Sequence, residues 1–191
     1  MRPMRIAGGV SLACLLATAA MASSVLGLSI EDQARLSKMV VVGEVVGQNG
    51  KIDAANGYET AVRLRVTDVL KGRVQVGQTV VFHTRGGEVD GVISQALGEA
   101  VFQTGQKYLV FIESVDGRLY SLGLSMGVWN VTETGGGIGF TRALEDGLEV
   151  VGDVQVEHGP ISLPGMASRV SLSERQGGFD HPMLRESLEG R

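Results

Sequence analysis

The chain contains a single cysteine, four prolines, few aromatic residues and no cluster of basic side chains. Each shortage closes off a class of explanation. Cys14 sits in the middle of an apolar stretch, with Ser11-Leu12-Ala13 before it and Leu15-Leu16-Ala17 after it, whereas a lipidated cysteine closes such a stretch. Without Cys14 the rest of the chain has no disulfide framework, no thiolate metal site and no cysteine nucleophile. The formal net charge of -4 makes nucleic acid and anionic membrane surfaces poor partners. After its first two dozen residues the sequence has no long apolar run, so no stable membrane anchor is expected.

Those first residues carry the pattern of an export signal. Arg2 and Arg5 precede apolar and small residues from Ile6 to Ala20, and Ala20-Met21-Ala22 supplies the small-x-small pattern of a cleavage site. We therefore expect a signal peptide over residues 1–22, a mature start at Ser23 and a destination in the periplasm or medium. Losing Arg2 and Arg5 takes the net charge to about -6. The roughly 170 residues that remain suffice for one packed domain without staples.

Glycine is abundant where proline is scarce, 28 residues against 4, as expected of many tight turns and bulges. Ser29-Ile30-Glu31-Asp32 is a helix start, a serine cap followed by acids, and predicts a short helix from Ile30 to Ser37. The β-branched run from Met39 to Val46 predicts a central strand covered on both faces. Next, Tyr58, Thr60, Val62, Leu64 and Val66 alternate with Glu59, Arg63, Arg65 and Thr67, a half-buried antiparallel strand with Glu59 on its polar face. The alternation slips at Thr67-Asp68, where one inserted residue predicts a β-bulge.

Further strands are predicted at Thr79 to Thr84, Lys107 to Ser114, Arg118 to Gly123, Val128 to Thr132, Ile138 to Thr141 and Leu148 to Val156, the last interrupted at Gly152-Asp153. Asp116-Gly117 marks a tight hairpin. Strands at this spacing, without alternating helices, predict a mainly all-β fold: a small, antiparallel, OB-like β-barrel over residues 23–161. From Ser162 the chain turns polar around Pro164, Gly165, Gly177, Gly178 and Pro182, and an irregular, flexible tail is expected over 162–191, with a short helix around Pro182 to Glu189.

Three strings invite a chemical reading. Gly123-Leu124-Ser125-Met126-Gly127 matches the G-x-S-x-G nucleophile elbow, but a strand pattern follows Ser125 where the elbow needs a helix. The glycines read better as turn or bulge positions. Gly135-Gly136-Gly137-Ile138-Gly139 likewise leads into a strand, not into the helix N-terminus that would cradle a phosphate. His83, His158 and His181 stand far apart with no metal-ligand spacing, so neither a metal nor another cofactor is expected. The longest connection, Arg85 to Gln106, is glycine-punctuated, and connections of that length are more often functional than idle. It supplies the candidate binding residues Arg85, Gly86, Gly87 and Gln95. Trp129 joins them as an aromatic to test as an exposed anchor, although a half-buried core tryptophan is the simpler reading.

Leu28-Ser29-Ile30-Glu31, Val40-Val41-Val42-Gly43-Glu44-Val45, Val66-Thr67-Asp68-Val69-Leu70-Lys71-Gly72, Gly86-Gly87-Glu88-Val89 and Tyr108-Leu109-Val110-Phe111-Ile112 follow in an order that resembles an uncharacterised family of secreted bacterial β-barrel proteins. The pattern is also similar to netrin-like and tissue-inhibitor-of-metalloproteinases modules. That resemblance implies an OB-type barrel and, by analogy, a protease-like extracytoplasmic partner. It does not carry the inhibitory residues across, because those inhibitors act through an N-terminal Cys-x-Cys that this chain lacks. The expectation is a secreted, non-enzymatic binding or inhibitory module. The alternatives are a secreted serine hydrolase acting through Ser125 and a structural protein of the cell envelope.

Overall fold

The computed structural model describes residues 23–134, 137–142, 144–145, 148–152 and 154–175. The expected signal peptide with Cys14, the histidine His181 and the expected helix at 182–189 lie outside the described residues. In chain order the elements are β1 (Ser23–Leu26), α1 (Ile30–Leu36), β2 (Met39–Asp53), β3 (Gly57–Lys71), β4 (Thr79–Val89), β5 (Val92–Gln95), β6 (Lys107–Val115) and β7 (Arg118–Ser121). A single 3-10 turn (Leu124–Gly127) leads into β8 (Val128–Thr134), β9 (Gly137–Thr141), β10 (Leu148–Val151), β11 (Ile161–Ser162) and α2 (Leu163–Arg175).

Five strands close into a ring. β2 pairs with β3, β3 with β4, and β6 with both β2 and β7, all antiparallel. A parallel bridge between His83 of β4 and Tyr120 of β7 closes the circuit. This is the expected small OB-like barrel. Outside the ring the sheet continues from β6 through β8 and β9 to β11. β1 and β10 form a separate parallel pair.

The apolar residues divide between two cores, and β2 shows why. Its alternation sends Val41 and Val45 into the barrel with Val62, Leu64, Phe82, Val110 and Ile112. Val40 and Val42 face outward, against Ile30, Ala34, Leu109, Phe111, Trp129, Phe140, Met166 and Val170. A strand buried on both faces is what the unbroken valine run requires. The predicted bulge is present: Val42 pairs with Asp68 and Gly43 with Val66, leaving Thr67 as the extra residue. Further register shifts at Val40/Val41 and Val45/Gly47 help to curve the long β2–β3 ribbon into the ring. The cap of α1 also forms as its sequence dictates, with Ser29 Oγ accepting from the Asp32 amide at 3.1 Å.

Three expectations are corrected. The stretch 162–175 is not an irregular tail. Ser162 Oγ accepts from the Gly165 amide at 3.2 Å, Pro164 occupies the first turn where its missing N–H costs nothing, and α2 buries Met166 and Val170 in the outer core. The connection after Thr84 is not a loop throughout: β4 runs on to Val89, turns at Asp90-Gly91 and returns as β5. Both turn residues have positive φ, 52° and 78°, the signature of a two-residue hairpin turn. Trp129 is fully buried in the outer core, which removes it as an exposed anchor.

Candidate functional site

The pairing of β4 with β3 ends at Arg85 opposite Glu59, and the pairing of β4 with β5 begins at Gly86 opposite Gln95. Gly86 and Gly87 make this change of partner. Both have positive φ, and a Cβ would stand 2.6 Å from the Ser94 carbonyl at Gly86 and 2.4 Å from Thr60 Oγ1 at Gly87. The Thr60 hydroxyl donates to the Gly86 carbonyl at 2.9 Å and fixes the bend. The β4–β5 hairpin thereby leaves the barrel wall, and β5 is an edge strand, paired only with β4 among the described residues.

Beyond β5 the chain turns back and plugs the barrel. Phe102 inserts between Phe82 and Tyr108, with ring centroids 5.2 and 5.0 Å away in edge-on geometry. Gln48 Nε2 donates to the Phe102 carbonyl at 2.9 Å and pins the segment to β2. Between plug and hairpin lies a groove of about 410 Å³ whose walls include Arg85, Gly86, Gly87, Ile93, Gln95 and Phe102. Four of the five residues singled out from the sequence thus share one groove, while Trp129 belongs to the other core.

At the polar end of this groove the buried Glu99 carboxylate accepts from the Arg85 amide and from Ser121 Oγ, each at 3.1 Å. Burial pushes its carboxyl above the ordinary range, and the hydrogen bonds from Arg85, Ser121 and Ala100 together with the Arg85 charge offset only part of that rise. The Arg85 guanidinium lies 3.8 Å from Glu99, with its side chain 63% exposed, so most of its donors face solvent.

Arg85 also borders a second, smaller recess of about 170 Å³ with Glu59, Glu113, Arg118 and Tyr120. Glu59, expected on the polar face of β3, is completely buried. Tyr120 Oη donates to its Oε1 at 2.8 Å, Arg118 Nη2 donates to its Oε2, and Lys51 Nζ lies 3.5 Å away. Arg118 Nη1 reaches Asp53 at 2.9 Å, and Asp53 Oδ1 in turn accepts from the Ala55 and Asn56 amides of the β2–β3 turn. Burial raises the Glu59 carboxyl, but the hydrogen bonds from Tyr120 and Arg118 and the charges of Arg118 and Lys51 outweigh it and hold it below the usual range. Glu113, half-buried and without such partners among the described residues, is pushed up by desolvation against the pull of Arg85. Glu59 is thus a saturated, ionised anchor for the barrel mouth, leaving Glu113 and Arg85 as the groups open to an incoming molecule.

The other chemical candidates do not converge. Ser125 lies in the 3-10 turn, buried, and its Oγ accepts from the Glu145 amide at 3.2 Å. The His83 ring lies 3.3 Å from the Leu119 carbonyl, and His158 gives its own carbonyl to the Arg142 amide. Among the described residues no group of three metal-ligating side chains is present, and no helix is long and apolar enough to cross a membrane. No family model, curated protein or solved structure matches the chain.

Proposed function

We propose that the chain is an exported, non-enzymatic binding module that takes an extended segment of an extracytoplasmic partner protein along the free edge of β5. Export rests on Arg2 and Arg5, the apolar run and Ala20-Met21-Ala22. The binding reading rests on one observation, an open strand edge beside a groove. An added strand gains main-chain hydrogen bonds from such an edge, and its alternate side chains enter the neighbouring groove. Natural edges are normally blunted by lysine, proline or a covering loop. β5 contains no lysine or proline, pairs only with β4 among the described residues, and displays Val92 and Ile93, the latter 73% exposed, with Leu97 and Val101 nearby. Arg85 supplies the charge selectivity. Glu99 is already occupied by the Arg85 amide and Ser121, so the Arg85 guanidinium is available to a carboxylate of the partner. The favoured segment is therefore extended, apolar at alternate positions and acidic once.

Selection of displayed ten-residue peptides against the full chain, followed by hydrogen exchange with an enriched peptide, tests this. The expected result is enrichment of alternating apolar sequences containing an acid, with slowed exchange at Val92–Gln95. Ile93→Lys, a change at an exposed position, should abolish capture without altering the fold. Removing the whole connection is a poor control because it also extracts Phe102 from the barrel. Protection elsewhere, with binding indifferent to I93K, overturns the proposal.

A further inference from the structure

The outer core contains a cation whose side chain has no hydrogen-bond partner among the described residues. Arg142 directly follows β9 and is 3% exposed. Its main chain is fixed, the amide donating to the His158 carbonyl at 2.8 Å. Its side-chain Nε, Nη1 and Nη2 are all buried and have no hydrogen-bond partner among the described residues. The guanidinium carbon lies 4.2 Å from the centroid of the Trp129 ring, and Trp129 Nε1 is a second buried donor without an acceptor among the described residues. Among the described residues its charged neighbours are Glu157 and Arg169, which bond to each other: Arg169 Nη1 donates to Glu157 Oε2, while its Nε and Nη2 hold Glu31 of α1. Burial lowers the Arg142 guanidinium to about 9, with Glu157 opposing the fall and Arg169 adding to it, so the group is still cationic at neutral pH.

A guanidinium and an indole N–H can only donate. The face of Trp129 offers Arg142 a cation–π contact but no lone pair, so it offsets part of the cost of burial and satisfies none of the donors. A buried charge is ordinarily paired, and a buried donor ordinarily meets an acceptor. The complement this pair lacks is a compact acceptor bearing negative charge. We infer that Arg142, stacked on Trp129, forms a buried site for a small oxyanion, a carboxylate or a phosphate held by the guanidinium fork. That geometry suits planar, two-oxygen recognition, which Arg achieves and Lys does not. The site stands apart from the β5 groove and does not depend on the function proposed for it.

Trp129 is the single tryptophan of the chain, so its emission reports on this site alone. The full chain is titrated with sodium acetate and, separately, with sodium phosphate, at constant ionic strength. The expected result is a saturable change in Trp129 emission with one or both anions, the responding anion identifying the carboxylate or phosphate form. In Arg142→Gln the half-saturation concentration should rise about tenfold or more, the loss expected when a charge-assisted hydrogen bond is removed, and Arg142→Lys should fall between the two. Emission that stays flat or drifts linearly with both anions, or that saturates equally in R142Q, overturns the inference and leaves water as the acceptor. Should R142Q fold poorly, melting of the unaltered chain decides the question. A bound anion raises Tm with the logarithm of its concentration above Kd, whereas general salt exclusion acts without saturation, and a purely linear rise rejects the site.

Discussion

Tyr120 donates its phenolic proton to Glu59 across the mouth of the barrel, joining β7 to a strand that it does not pair with. The two are 61 positions apart in sequence. The contact reinforces the ring where β4 and β7 share only the His83–Tyr120 bridge. Tyr120→Phe keeps the ring and removes the proton, leaving one oxygen of a buried carboxylate short of a donor. We expect a loss of about 1–2 kcal/mol in chemical denaturation. An unchanged midpoint would mean that Arg118 and Lys51 hold Glu59 without help.

Glu59 and Glu99 should bend the pH dependence of stability in opposite directions. Glu59 has a lowered carboxyl in the folded chain. Its contribution is present above the ordinary value of 4.5 and is lost as pH falls through the folded value below it. Glu99 is raised, so the stability it permits is complete below 4.5 and declines as pH rises through its folded value. Urea midpoints from acid to neutral pH should therefore fall on both sides of a maximum. Glu99→Gln, which cannot ionise, should flatten the neutral side and leave the acid side as it was. Glu113, also raised, acts with Glu99, and adding Glu113→Gln should flatten that side further.

Ser125 should resist a fluorophosphonate probe in the folded chain. Its hydroxyl is buried and accepts from the Glu145 amide, and among the described residues no histidine ring bonds to it. Ser125→Ala is expected to cost about 0.5–1.5 kcal/mol, as for the loss of a buried neutral hydrogen bond. Mass spectrometric detection of a modified Ser125 in native protein would restore the hydrolase alternative.

The barrel was legible because periodicity is a local signal. The valine run of β2 encodes burial on both faces, and the slip at Thr67 encodes the bulge, with no knowledge of what either packs against. The β4–β5 hairpin had an equally local signal, Val89-Asp90-Gly91-Val92, but the glycines around it read as a loop. Strand alternation puts Glu59 on the polar face of β3, and only the approach of Arg118 and Tyr120, some sixty positions later, makes its burial tolerable. No local pattern announces that. Pro164-Gly165 read as part of a polar tail because their meaning depends on position: in the first turn after Ser162 they are compatible with a helix start. Trp129 and Arg142 stack because β8 and β9 pair with Asn130 opposite Thr141, which brings the next residues of the two strands together, a register that neither strand's own pattern specifies.

Helix α2 provides the sharpest check on the fold, because a flexible tail and a docked helix respond differently to the same changes. Met166 and Val170 lie four positions apart on one face, both fully buried, while Leu172 is 36% exposed. If the helix completes the outer core, Met166→Ala removes a packed side chain and leaves a cavity beside Phe140 and Trp129's core, at a cost of about 2–5 kcal/mol. Leu172→Ala, on the open side, should shift stability by no more than about 0.5 kcal/mol. Arg169 adds a second link, since its bridge to Glu31 ties α2 to α1 at the opposite end of the chain. Arg169→Met should accordingly speed hydrogen exchange in α1 as well as in α2. Equal, negligible effects of M166A and L172A would return residues 163–175 to the status of a tail, whereas a large difference fixes the helix as part of the cooperative unit that forms the outer core around Trp129.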